Sequence, residues 1–134
     1  MGTLENSAGL VPIPLTRDNS GNSAAVSATG VYGPNSLAYD RTTPVVGADL
    51  IACYGTFGLQ VNLAYTSAPS AFTAQLQGSL DGLNWYNLGT ALTATTAGTQ
   101  YVAVTDTPAR YVRLNLTVTG GTVVQATAWV GASE

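Results

Sequence analysis

Seven carboxylates, four arginines and a single thiol make up the charged and strongly nucleophilic side chains of this 134-residue chain, and histidine is absent. Without histidine the commonest general base and the commonest metal ligand are both missing. Four of the five aspartates stand beside turn residues, in Asp18-Asn19, Asp40-Arg41, Asp81-Gly82 and Asp106-Thr107-Pro108. An aspartate bonds its own backbone there, so turn capping accounts for them. A glycosidase pair would need two carboxylates across a cleft. Asp81 and Asp106 are candidates only for lying near one end of a fold. Asp49, Asp81 and Asp106 lack the dense ligand spacing of a calcium loop. The serines have no histidine to activate them, and no Gly-rich phosphate loop precedes a helix, since Gly120-Gly121 reads as a hairpin turn. The expectation is a protein without catalytic, cofactor or metal residues, and not an enzyme.

The other reactive groups point the same way. Cys53 is alone, which excludes an intrachain disulfide, and its run Leu50-Ile51-Ala52-Cys53-Tyr54 suits a buried thiol. All four basic residues are arginines (Arg17, Arg41, Arg110, Arg113) and the net charge is −3, so no basic stripe exists to neutralise phosphates. Nucleic-acid binding is not expected. Arg110 and Arg113 stand three apart on one extended segment, so they face opposite ways and form no anion clamp. Arg113, on the wet face, is expected to meet a carboxylate across the strands or another subunit. Asn115-Leu116-Thr117 matches a glycosylation triplet, but the N-terminus MGTLENSAG shows no secretory pattern, and no apolar run has the length of a membrane helix.

The elements that position these residues are strands. Phe72, Ala74, Leu76 and Gly78 alternate with Thr73, Gln75, Gln77 and Ser79, and Val112, Leu114, Leu116 and Val118 alternate with Arg113, Asn115 and Thr117. A period of two gives one buried and one wet face. Phe57, Leu59, Val61, Leu63 and Tyr65 repeat the pattern most cleanly. Further short strands are expected at Asp49 to Tyr54, Trp85 to Leu88, Gln100 to Val104 and Thr122 to Val130, with a weaker one within Ser23 to Val31. Strand after strand, with turn signals between and no helical period, means an all-β antiparallel β-sandwich. Apolar residues make up 46% of the chain and charged residues 8%, against a usual charged share of about 25%. Such a surface suits contact with other protein.

Residues 1–47 read differently from the sandwich domain at 48–134. They hold Pro12, Pro14, Pro34 and Pro44 and little periodicity, as an extended, mostly irregular N-terminal arm would. In Leu10-Val11-Pro12-Ile13-Pro14-Leu15 the prolines forbid a helix, and the apolar Leu10, Val11, Ile13 and Leu15 need something to lie on. That is either an edge of the same sandwich or a neighbouring subunit. In the last strand Val124, Ala126, Ala128 and Val130 fit the core, which leaves Trp129 outward. It would then be covered by the arm or another subunit, unless a bulge turns it into the core.

Two phrases carry a resemblance. Gln77-Gly78-Ser79-Leu80-Asp81-Gly82-Leu83-Asn84-Trp85, followed by Ala109-Arg110-Tyr111-Val112-Arg113-Leu114, is similar to a pattern of discoidin-like (coagulation factor 5/8 C-type) β-sandwiches, over roughly residues 72 to 118. That resemblance implies a jelly-roll or discoidin-like sandwich, in a family many of whose members bind sugars or lipid head groups through loops. In style the lysine-free, Thr/Ala/Gly-rich chain with its loose arm also resembles small virion proteins of tailed bacteriophages. That likeness implies a capsid decoration (cement) protein, made in the host cytoplasm without a signal peptide and placed on the capsid surface. Its partners would be the major capsid protein and copies of itself, as a homotrimer, with no nucleic acid and no membrane. Leu10, Val11, Ile13, Leu15, Arg113 and Trp129 are its candidate contacts. The alternative is a carbohydrate-binding module that stacks sugars on Trp85, Tyr86 or Tyr101.

Overall fold

The computed structural model describes residues 11–36, 55–105 and 107–133. Its strands are β1 (Val11–Pro14), β2 (Gly30–Ser36), β3 (Thr56–Ala64), β4 (Ala71–Ser79), β5 (Tyr86–Asn87), β6 (Leu92–Thr93), β7 (Gly98–Val104), β8 (Tyr111–Thr119) and β9 (Gln125–Ser133). They form two antiparallel sheets, ordered β1-β9-β3-β7 and β2-β8-β4-β5, with β6 also pairing with β4. The described residues contain no helix. The protein is a β-sandwich.

Alternation decides which side chains meet between the sheets. Phe57, Leu59, Val61 and Leu63 of β3 face inward beside Ala126, Ala128, Val130 and Ala132 of β9, all at 2% exposure or less. From the other sheet come Phe72, Ala74 and Leu76 of β4 and Val112, Leu114 and Leu116 of β8. At Gly78 the strand passes so close to its cover that an added Cβ would lie 2.8 Å from Leu88 Cδ1 and 2.9 Å from the Ala109 Cβ. Only glycine fits there without displacing core atoms.

The described part of the segment 1–47 is built into the sandwich rather than standing apart from it as an arm. β1 pairs with β9, matching Ile13 to Val130 and Pro14 to Trp129. Ile13 and Leu15 are buried at 4% and 2%, so they serve as core and not as an outward contact. Proline is tolerated in this strand because β1 is an edge, where one side of the ladder needs no partner. The Thr16 hydroxyl then accepts the Ala128 N–H (3.1 Å), tying the segment on beyond the prolines. Between Ser23 and Val31 the backbone makes single bridges, Arg17 to Ser23 and Val26 to Ala126. The strand comes later, as β2 against β8, with its register shifted between Tyr32 and Asn35. Leu10, Asp49, Cys53, Asp106 and the expected strand at Asp49 to Tyr54 lie outside the described residues.

Connections differ more than strands. The Asp81-Gly82 turn makes the expected hairpin, pairing Gln77 with Asn87 and Gly78 with Tyr86. Gly120-Gly121 does not: it carries the chain from β8 in one sheet to β9 in the other. Just beyond it, Val123 is held at φ 50° with its side chain 64% exposed. A β-branched residue is strained in that left-handed region.

Replacing Leu114 by Ala should cost about 3 kcal/mol of unfolding free energy, since the cavity would open mid-core. Val123→Asn should instead raise stability by about 1 kcal/mol, because Asn tolerates the left-handed backbone. Urea unfolding of the two variants checks both signs.

Candidate interaction surface

The first sheet turns outward the residues that its inner face leaves over. Strand register sets Pro14 opposite Trp129, Trp129 opposite Gln60, and Gln60 opposite Tyr101, so these four form one row across β1, β9, β3 and β7. The next row on the same face is Pro12, Gly131, Gly58 and Ala103. With strands about 4.8 Å apart, the backbones carrying Trp129 and Tyr101 stand about 10 Å from each other. Gln60 lies between them. The glycines give this surface its depth. A Cβ at Gly58 would collide with the Tyr101 phenol, 2.7 Å from its Cε1, so the ring lies across the bare backbone there. The result is a cleft of about 260 Å³ lined by Pro12, Gly58, Gln60, Tyr101, Trp129 and Gly131. Tyr101 is 66% exposed, and Trp129 is half-buried between buried Ala128 and Val130. Trp129 thus faces outward, and β1 lies beside it through Pro14.

The second sheet is closed by its own side chains. Arg113 Nε donates to Gln77 Oε1 (2.8 Å), and Gln77 Nε2 donates in turn to Asn87 Oδ1 (3.1 Å). The guanidinium lies over the Trp85 ring, 4.3 Å from its centroid, at cation–π distance. Among the described residues the partners of Arg113 are therefore an amide and an indole, and not the cross-strand carboxylate that was one of its two expected partners. Its position also covers the ring that a sugar would need. Tyr86 is half-buried against the core, and its hydroxyl donates to the Pro108 carbonyl. Trp85 and Tyr86 are occupied in holding the β4–β5 hairpin to its surroundings. Of the three aromatics read as a stacking platform, Tyr101 alone offers an open ring. Arg110 precedes β8, with its guanidinium 5.9 Å from the Tyr111 ring centroid.

Asp81 builds the hairpin loop. Its Oδ1 accepts the Leu83 and Asn84 N–H groups (both 2.8 Å) and the Ser79 hydroxyl (2.9 Å), while Oδ2 accepts Asn84 Nδ2 (2.8 Å). These bonds, led by that from the Asn84 N–H, hold the carboxyl well below the usual carboxylate range. Asp18 caps its own turn in the same way, accepting from Ser20 N (2.8 Å) and Asn22 N (3.0 Å). Among the described residues no three His, Cys, Asp or Glu side chains lie close enough to hold a metal ion. Leu80 and Leu83 project from the Asp81 loop at 52% and 82% exposure.

Comparison of the sequence with known protein families and with characterised proteins finds no match.

Two outcomes follow from this geometry. Gly58→Ala should push the exposed Tyr101 ring aside and fill the cleft, while changing stability by less than about 1 kcal/mol, because nothing in the core moves. Tyrosine fluorescence and a thermal melt read the two effects. Asp81 is favoured as carboxylate in the folded state, so its contribution is complete above about pH 4 and shrinks as pH falls further. The melting-temperature gap between wild type and Asp81→Asn should therefore narrow between pH 5 and pH 2.

Proposed function

We propose that the protein is a non-enzymatic structural protein of a virion, a decoration protein that binds the outer shell of a tailed phage through the outer face of its first sheet. The observation that carries this reading is the Trp129–Tyr101 cleft. It places two large aromatic rings, Pro12 and a bare glycine floor in one cleft whose lining carries no charge, on an otherwise well-packed sandwich. Aromatic residues in a pocket are the usual energetic anchors of a protein interface. The chain's few charges mean that little desolvation opposes their burial. One such cleft is a modest contact. Repeated over a lattice, modest contacts multiply into firm attachment. The major capsid protein is the partner this reading requires, with contacts between copies of the chain in support.

A second reading, a carbohydrate-binding module, is favoured by a specific feature of the same cleft. Gln60 stands between Trp129 and Tyr101, so a sugar ring stacked on either aromatic would have an amide within reach of its hydroxyls. The pair that matters is then Tyr101 with Trp129, not Tyr101 with Trp85 and Tyr86.

Deleting the first 45 residues would not separate these readings, because it removes β1, β2 and the buried Ile13 and Leu15. The double change Trp129→Ala with Tyr101→Ala strips the face and spares the core. Its co-sedimentation with undecorated shells should fall by at least about tenfold relative to wild type. Unchanged attachment would refute the assignment of this face. Glycan-array binding lost in the same variant would move the conclusion to the sugar module.

A further inference from the structure

Two sheets have four lateral edges, and natural sandwiches blunt each one, because an open edge offers unpaired N–H and C=O groups to any other strand. Three of the four are blunted here. β1 carries Pro12 and Pro14, which have no N–H to offer. β2 carries Pro34 and a register shift between Tyr32 and Asn35, which breaks the line of the ladder. At the other side of the second sheet β5 and β6 are two residues each. The remaining edge is β7, and it is different in kind. It runs seven residues, GTQYVAV, with no proline and no charge. Its register with β3 is unbroken from Val104 opposite Phe57 to Gly98 opposite Leu63. Among the described residues it pairs on that side alone.

We infer that β7 is a pairing edge for a second copy of this chain, joined antiparallel about a two-fold axis at Tyr101. The occupant follows from the strand itself. An extended partner is the one shape that satisfies a line of backbone donors and acceptors. β7 is also complementary to its own reverse. With Tyr101 opposite Tyr101 of the second copy, Thr99 lies opposite Ala103 on the outer face, and Gln100 lies opposite Val102 on the inner one. No like charges meet in this arrangement, and two aromatic rings come together at the centre. Val102, half-buried against the core in one copy, gains cover from the other. A two-fold contact uses the same patch on both partners, as this one does. It joins two four-stranded sheets into one of eight and sets two Trp129–Tyr101 clefts side by side on a shared outer face.

One strand pair buries less than the roughly 800 Å² per partner of a standard interface, so the association is weak and concentration-dependent in free solution. The inference goes beyond the shell-binding reading and does not require it. Its failure would leave the test on shells untouched.

The experiment is sedimentation velocity of the full chain over a concentration series, with amide hydrogen exchange at the two ends of that series. Wild type should pass from monomer to dimer, and the β7 amides should gain protection as it does. Thr99→Lys with Ala103→Lys places like charges along the edge at exposed positions and should stay monomeric. Leu83→Lys, on the distant hairpin loop, should dimerise as wild type does. Thermal melts confirm that each variant is folded. A wild type that remains monomeric at the highest attainable concentration overturns the inference, as does a closed trimer. So do β7 amides already protected in the dilute monomer, or a lysine pair that leaves dimerisation unchanged. The exchange measurement needs no variant, so the inference stays testable even if the lysine pair does not fold.

Discussion

Everything in this molecule depends on two sheets burying each other's inner faces with almost no help from charge. β3 and β8 are the central walls. Leu59, Val61 and Leu63 on one side and Val112, Leu114 and Leu116 on the other are essentially without exposure. Fully burying such a side chain contributes about 1.5–3 kcal/mol, and among the described residues no buried ion pair competes for that space. The polar groups drawn inside are few: Thr16 receives the Ala128 N–H, the Ser79 hydroxyl bonds with Asp81 and the Gly82 N–H, and the buried Arg110 Nε has no hydrogen-bond partner among the described residues. Because the strands alternate strictly, the choice of inner face also fixes the outer one. The row of Trp129, Gln60 and Tyr101 is the complement of Val130, Leu59 and Val102. The candidate surface is thus a consequence of core register, and no separate device is needed to aim its rings.

The strands were legible in the sequence because periodicity is a local signal. The alternations at Phe57 to Tyr65, Phe72 to Gly78 and Val112 to Val118 each mark a strand within a residue of its bounds. The outward direction of Trp129 followed from its neighbours by the same arithmetic. What was not legible was pairing. Pro12 and Pro14 read as features of an arm because proline weakens a strand, yet an edge accepts them, and only the position of β9 shows that β1 is an edge. Gly120-Gly121 has the composition of a hairpin turn, and composition does not tell a turn within a sheet from a passage between sheets.

The site shows the same division. Trp85, Tyr86 and Tyr101 are equally aromatic in the sequence, and their availability depends on what stands above each ring. Arg113 is 28 positions from Trp85 in the chain and 4.3 Å from its ring in space. The signal that could have found the cleft was a pair of glycines at outward positions, Gly58 and Gly131. Both sit in otherwise regular strands where a side chain is expected. A missing side chain on an outer face leaves room beside whatever is large next to it, and here the neighbours are Tyr101 and Trp129.

The pairing of β1 with β9 has a consequence in time. The first described strand and the last are neighbours, and β9 stands between β1 and β3. During synthesis Ile13 and Leu15 therefore leave the ribosome long before the surface that will cover them exists. The first sheet cannot close piecemeal from its beginning, and its completion waits for β9. Folds built on such distant contacts gather slowly and late. The prolines of β1 then serve a second end: while that strand waits, they deny its exposed backbone to the nascent chains around it.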